Sequence, residues 1–326
     1  MPLSQSIEQS HKAMVEGRDV PWLLNLWVER TPDNPFLIWA PFEGEDRRWS
    51  YAEFGRDVKA VAAALHNRGI APGERVLLHL DNSPEFMISW FACAHIGAVA
   101  VSTNTRSVAR DMSYFSDHAG VVAAITQPGF AEMVQDCAPE IRFLVVTDNN
   151  AGEVAEVAPA VEYTAFAQLL VEQGECPVRA PDPFANLGIQ FTSGTTSRPK
   201  AVLWTHANTI WGAQMNASHM RLSGDDITLA FLPLFHTNAQ SYSMLGSLWV
   251  GGTIVVQPRF SASRFWPTAR KYKCTWTSLI PFCVKALLSQ DPPPDHSFRF
   301  WNPAIRMIDV ETTYGIPTFG WGGMTE

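Results

Sequence analysis

A polar stretch in the middle of the chain, QFTSGTTSRPK at residues 190–200, contains the residue types that bind phosphate. Hydroxyl groups, backbone amides beside a glycine, and the cations Arg198 and Lys200 can all donate hydrogen bonds to phosphate oxygens. The strand-like run AVLW follows at residues 201–204, so we expect a loop that joins two strands. A Walker loop leads from a strand into a helix and has glycine before its lysine, which argues against an ordinary P-loop NTPase.

Four other segments accompany this loop in a fixed order. They are WSYAE at 49–53, GIAPGERV at 69–76, FLPLFH at 231–236 and GGMTE at 322–326. Together with the loop they resemble the motifs of the adenylate-forming, AMP-binding superfamily, which includes acyl-CoA synthetases and other carboxylate-CoA ligases. The likeness covers nearly the whole chain and corresponds to the N-terminal portion of a family member. The family continues beyond this point with a mobile C-terminal domain that carries a catalytic lysine.

The resemblance implies a role for each matched residue. Lys200 and the loop would hold the β and γ phosphates of ATP, and Thr325 would contact the α-phosphate. Glu326 and Thr196 would ligate Mg2+, and His236 would line the acyl pocket or its gate. The implied catalytic residues are Lys200, His236, Thr325 and Glu326. The implied cofactor-binding residues are Thr192, Ser193, Gly194, Thr195, Thr196, Ser197, Lys200, Trp321, Gly322, Gly323, Met324 and Thr325.

The implied reaction is the ATP-dependent activation of a carboxylic acid to an acyl-adenylate, followed by transfer to coenzyme A. Such a carboxylate is ionised at neutral pH, so its attack on the α-phosphorus needs no general base. The segment 232–239 is most similar to ligases for small or medium acids of the carnitine and crotonobetaine type. Two alternatives stay open: an adenylation enzyme that loads a carrier-protein thiol, and a nucleotide- or acyl-binding module without turnover.

The sequence departs from the family at several positions. Ser197 and Ala201 stand where relatives have glycine, and Gly322 replaces the tyrosine that stacks on adenine, with Trp321 one position earlier. A Gly-Gly-Ala segment is not recognisable between residues 298 and 312. The alternative for the loop is a plain surface turn, for His236 a structural pocket residue, and for Glu326 an ordinary surface acid.

The elements that must position these residues alternate between strands and helices. Apolar or β-branched runs at residues 76–80, 99–101, 121–125 and 142–147 are separated by segments of helix length, and a similar alternation follows residue 184. This pattern predicts an α/β fold with two stacked subdomains of mostly parallel sheet. Prolines 177, 181 and 183 place the predicted boundary, giving a first subdomain at 1–183 and a second at 184–326.

Composition restricts the partners. The chain has 24 Lys and Arg against 32 Asp and Glu, a formal net charge of -8, which argues against nucleic acid and anionic membrane as partners. No apolar stretch approaches the length of a membrane span. The five cysteines are widely spaced, which is typical of reduced thiols and predicts a cytoplasmic protein. The expected partners are a small carboxylic acid, ATP and CoA, and a homodimer is left open.

Overall fold

The computed structural model describes residues 15–155, 157–192, 198–291, 293–320, 322, 323 and 325. Strands and helices alternate along most of this length, as the apolar runs predict. The strands are β1 (Pro35–Trp39), β2 (Arg47–Ser50), β3 (Arg75–His79), β4 (Val99–Ser102), β5 (Val121–Thr126), β6 (Leu144–Val146), β7 (Thr164–Ala165), β8 (Asn186–Phe191), β9 (Ala201–Thr205), β10 (Ile227–Ala230), β11 (Thr253–Val256), β12 (Trp276–Ser278) and β13 (Phe300–Asn302).

Helices connect most of these strands. The α-helices are α1 (Val20–Arg30), α2 (Tyr51–Asn67), α3 (Pro84–Ile96), α4 (Ala109–Ala119), α5 (Ala131–Cys137), α6 (Phe166–Val171), α7 (His206–His219), α8 (Gly246–Val250), α9 (Ala262–Lys271), α10 (Pro281–Leu288) and α11 (Ile308–Tyr314). A short 3₁₀ helix spans Pro128–Phe130 and a π-helix spans Asn238–Leu245. None of the helices in the described ranges has the length and apolar character needed to cross a membrane.

Two mixed sheets form the framework. The seven-stranded sheet has the order β7-β6-β5-β3-β4-β8-β9, and its pairs are parallel except β8 with β9. The six-stranded sheet has the order β13-β12-β10-β11-β1-β2, and its pairs are parallel except β1 with β2. The predicted α/β class with mostly parallel sheets flanked by helices is therefore confirmed.

Each sheet contains strands from both sides of residue 183 in the chain. β8 and β9 follow this position in the chain but extend the seven-stranded sheet, whereas β1 and β2 precede it and extend the six-stranded sheet. The predicted division into 1–183 and 184–326 thus does not follow sheet membership. As a statement about separate subdomains it stays a prediction.

The turn from β3 into α3 shows how local sequence sets the start of a helix. Ser83 is the N-cap, and its hydroxyl oxygen accepts a hydrogen bond from the Phe86 amide at 3.1 Å. Pro84 occupies the first helical turn, where its missing N–H costs no helical hydrogen bond. Gly97 ends the helix at φ 76°, a conformation that glycine adopts without steric cost. The local sequence thus determines both ends of α3.

A shared core joins the two sheets. The Phe36 ring of β1 stacks on Tyr51 at a centroid distance of 4.9 Å and meets the edge of Phe54 at 4.8 Å. Phe54 in turn packs against Phe91 of α3 at 5.5 Å. All four side chains are fully buried. Since α3 follows a strand of the other sheet, this aromatic stack fixes the two sheets to each other.

Candidate active site

The predicted phosphate loop begins and ends on a pair of antiparallel strands, β8 and β9. The Thr192 amide donates to the Lys200 carbonyl oxygen at 3.0 Å, and the Lys200 amide donates to Thr192 Oγ1 at 3.1 Å. We call this hydrogen-bonded pair of residues the neck. The predicted strand-loop-strand arrangement is confirmed by the strand pairing. The loop residues between the two neck residues that lie outside the described ranges are Ser193, Gly194, Thr195, Thr196 and Ser197.

Helix α4 supports both sides of the neck. Tyr114 Oη donates to the Pro199 carbonyl oxygen at 3.0 Å, and the Arg198 guanidinium carbon lies 5.4 Å from the centroid of the Tyr114 ring. On the opposite side, Phe115 stacks on Phe191, the last residue of β8, at 4.1 Å. Because one helix contacts the segments before and after the loop, it holds the ends of the loop in a defined position.

The segment that follows β10 is held by a buried asparagine in the turn between β3 and α3. Asn82 Nδ2 donates to the carbonyl oxygens of Leu232 at 2.9 Å and Gln257 at 3.1 Å. Asn82 Oδ1 accepts from the Leu234 amide at 2.7 Å. Only 3% of the Asn82 surface is exposed, so these hydrogen bonds are shielded from water. It therefore fixes the segment that leads to His236.

His236 is exposed, with its ring centroid 4.6 Å from that of Phe235. The surrounding protein removes part of the water around the imidazole, and this partial desolvation lowers the pKa of His236 below its ordinary value of 6.5. The ring is therefore neutral at pH 7. A neutral imidazole can donate one hydrogen bond and accept another, and it does not repel a cationic substrate.

The terminal motif lies against β9 and the π-helix. Trp204 Nε1 donates to the Thr325 carbonyl oxygen at 3.0 Å, which places Thr325 beside the strand that begins just after Lys200. A Cβ atom added to Gly323 would overlap the hydroxyl oxygen of Tyr242, so this position accepts only glycine unless the tyrosine moves. Gly322 is exposed. The remaining predicted residues of the motif, outside the described ranges, are Trp321, Met324 and Glu326.

One groove of about 950 Å³ is lined by residues of both the phosphate-loop segment at 190–200 and the FLPLFH segment at 231–236. Thr192 of the neck and His236 of the second segment both line it, together with the β4–α4 connection and α4 itself. Lys200, Gly322, Gly323 and Thr325 are not among the described residues on its wall. Thr192 and His236 thus line the same groove, and Thr325 lies against β9.

The groove concentrates positive charge in an acidic protein. Arg106, Arg110 and Arg198 line it, against the two carboxylates of Asp111 and Asp117. Arginine guanidinium groups bind phosphate and carboxylate oxygens through paired N–H donors. A chain with a net charge of -8 must hold anionic ligands locally, and these three arginines are suitable donors for that purpose.

Magnesium was predicted at Thr196 and Glu326, which lie outside the described ranges. Their hydroxyl and carboxylate oxygens are the hard donors that Mg2+ prefers, so the chemistry of this donor set fits the ion. Elsewhere in the part of the chain that the structure describes, no group of three His, Cys, Asp or Glu side chains could hold a metal.

Sequence reasoning missed the residues that hold these segments in place. Asn82 lies in the turn before α3, where its sequence suggests only a local role, although its side chain bonds to Leu232, 150 positions away. Gln190 is noticeable in the sequence, because it is a single amide side chain in the otherwise apolar end of β8, IQF at residues 189–191. A buried amide in such a run needs a partner, but the sequence does not identify which residue supplies it.

Comparison with known proteins gives a family match over most of the chain. The model of the AMP-binding enzyme family matches residues 24–313. A crotonobetaine/carnitine-CoA ligase of Salmonella paratyphi A is 33% identical over 327 residues, covering 96% of this chain and 62% of the relative. The chain thus spans less than two thirds of the length of this curated relative.

Solved structures share the fold. The apo structure of MbtA from Mycobacterium smegmatis superposes with a TM-score of 0.82 at 25% identity, covering 96% of this chain and 58% of that one. The inhibitor-bound N-terminal domain of FACL13 from Mycobacterium tuberculosis gives a TM-score of 0.80 at 25% identity, covering 94% of this chain and 76% of that one.

Proposed function

The chain belongs to the AMP-binding enzyme family, and from this we propose that the protein activates a carboxylic acid with ATP and transfers the acyl group to coenzyme A. The observation that carries the proposal is the groove, which is lined by Thr192 of the phosphate neck, by His236 and by three arginines. An anionic nucleotide and an anionic acid must meet in such a site. Preorganised donors reduce their mutual repulsion and align them for reaction.

The first step is an in-line displacement at the α-phosphorus of ATP. The ionised carboxylate attacks without a general base, and pyrophosphate leaves as charge grows on the phosphate oxygens. Lys200, the amides and hydroxyls of residues 192–197, and Thr325 are the proposed donors to those oxygens. The positive charge of Lys200 stabilises the transition state more than the ground state, because negative charge on the phosphate oxygens increases in the transition state.

Magnesium would add a second source of positive charge. We assign it to Thr196 and Glu326, and when bound it neutralises charge on the phosphate oxygens. The residues 321–324 would then hold the adenine. Gly323 lies directly against Tyr242, which makes the π-helix one wall of this part of the site.

His236 and Phe235 are the proposed start of the acyl pocket. For the substrate we propose a small or medium acid of the carnitine or crotonobetaine type, which carries a quaternary ammonium group. The lowered pKa of His236 keeps its ring neutral, and an aromatic ring beside it can attract a cation. The named activity of the Salmonella relative supports this substrate class.

The products of the reaction identify the acceptor of the acyl group. The protein is incubated with ATP, Mg2+ and crotonobetaine or carnitine, with CoA present or absent, and the products are identified by mass spectrometry. The proposal predicts AMP, pyrophosphate and an acyl-CoA thioester that forms only when CoA is present. Acyl-adenylate without thioester would instead favour an enzyme that loads a carrier-protein thiol. The cytoplasmic location stays a prediction.

A further inference from the structure

Gln190 is a buried amide two residues before Thr192 of the neck. Only 4% of its surface is exposed, and a buried amide without hydrogen-bond partners is destabilising. Both ends of this amide have partners. Gln190 Nε2 donates to Gln240 Oε1 at 2.8 Å, and Gln190 Oε1 accepts from Thr237 Oγ1 at 2.9 Å.

The partner Gln240 closes the turn that carries His236. Its side-chain Nε2 donates to the Leu234 carbonyl oxygen at 3.2 Å, and its backbone amide donates to the His236 carbonyl oxygen at 3.0 Å. Gln240 is 1% exposed, so these bonds are shielded from water. Leu234 and His236 are thus both bonded to Gln240, and the side-chain amide of Gln240 is bonded to Gln190.

We infer that Gln190 is a positioning residue that holds the His236 turn against the strand leading into the neck. Binding of a nucleotide at the phosphate site therefore changes the surroundings of His236. A strand is a rigid support, and two hydrogen bonds to one planar amide leave little freedom for the turn to rotate. A displacement of the neck must therefore move the turn as well. The inference rests on the proposed function, which makes the neck part of the phosphate site.

The chain offers a matched control for a merely structural role. Gln127 is 3% exposed and lies at the end of β5 in the same sheet. Both ends of its side chain are also hydrogen-bonded, to the Asp81 amide and to Asp81 Oδ2, each at 3.0 Å. Replacing either glutamine with leucine removes two side-chain hydrogen bonds. Only the Gln190 substitution removes direct hydrogen bonds to Thr237 and Gln240.

The readout is the NMR signal of His236, with histidines labelled at Cε1 and the signal assigned by its loss in His236→Asn. The probe is the β,γ-imido analogue of ATP with Mg2+, added to the 326-residue chain. The wild-type signal should shift on titration. In Gln190→Leu and in the milder Thr237→Val, the shift should fall to less than half, while the Kd of the nucleotide changes less than about fivefold, one hydrogen bond being worth roughly 1 kcal/mol. Gln127→Leu should keep the full shift.

The outcomes separate the two proposals. A wild-type chain that binds no nucleotide contradicts the proposed function, and this inference with it. A chain that binds the nucleotide without any response at His236 overturns the inference alone. A full response of the His236 signal in Thr237→Val also overturns the inference. This variant provides the test if Gln190→Leu does not fold.

Discussion

Lys200 and Ser197 are predicted to affect the reaction in opposite ways. Lys200→Ala should lower kcat/KM for pyrophosphate exchange by roughly tenfold to a hundredfold, since a charge-assisted hydrogen bond contributes about 1.5–3 kcal/mol. Ser197→Gly should leave exchange equal or faster, because it restores the glycine that the family motif has at this position, and glycine is the least restricted residue. Steady-state exchange kinetics of both variants provide the measurement. A marked loss with Ser197→Gly would show that the serine hydroxyl has a role of its own.

The second residue-scale prediction concerns pH. Partial removal of water holds the pKa of His236 below its ordinary value of 6.5, so the midpoint of its protonation lies below pH 6.5. If a neutral ring is needed beside a cationic acid, kcat/KM for that acid should fall as the pH is lowered, with a midpoint below pH 6.5. His236→Gln should remove the fall. A decline centred at or above pH 6.5 contradicts the assignment.

At the scale of elements, helix α4 positions the phosphate neck through one hydroxyl. Tyr114→Phe removes the 3.0 Å hydrogen bond to the Pro199 carbonyl oxygen and leaves the ring beside Arg198. A neutral hydrogen bond contributes about 1 kcal/mol, so the KM for ATP should rise about fivefold with little change in Tm. Tyr163→Phe, at an exposed tyrosine, is the control. Equal KM values in both variants would show that α4 does not position the loop.

The sequence predicted the central strands well, because β3, β4, β5, β8 and β11 are apolar runs that parallel sheets bury. It did not predict β2, whose sequence RRWS gives no apolar run, or the three-residue β13. The sequence pattern predicts one helix at residues 241–250, but the structure divides this segment between the π-helix and α8. Pattern reasoning could not show this division, since a π-helix has no distinct apolar period.

The arrangement of the site required the structure. Motif residues such as Thr192 and His236 were found because their local sequences are distinctive. The side chains that connect them could not be found in this way. Gln190 and Gln240 are 50 positions apart, and a polar residue in an apolar run does not identify its distant partner. The same limit explains the boundary at residue 183, because chain order does not determine which sheet a strand joins.

At the scale of the whole molecule, charge distribution makes a prediction about salt. A protein of net charge -8 repels ATP in general, while Arg106, Arg110 and Arg198 attract it at the groove. The Kd of ATP should therefore rise with NaCl concentration, because screening weakens this local attraction. The double variant Arg106→Gln, Arg110→Gln should weaken binding and flatten this dependence. Arg56→Gln, at an exposed arginine on α2, should leave both unchanged, and titration calorimetry measures each case.

The account as a whole depends on whether adenylation occurs in this groove, and the direct measurement is carboxylate-dependent exchange of labelled pyrophosphate into ATP. We predict that label enters ATP only when a suitable acid such as crotonobetaine or carnitine is present, and that Lys200→Ala removes most of the signal. Binding of ATP with no exchange for any carboxylic acid tried would contradict the account and leave a nucleotide-binding module without turnover.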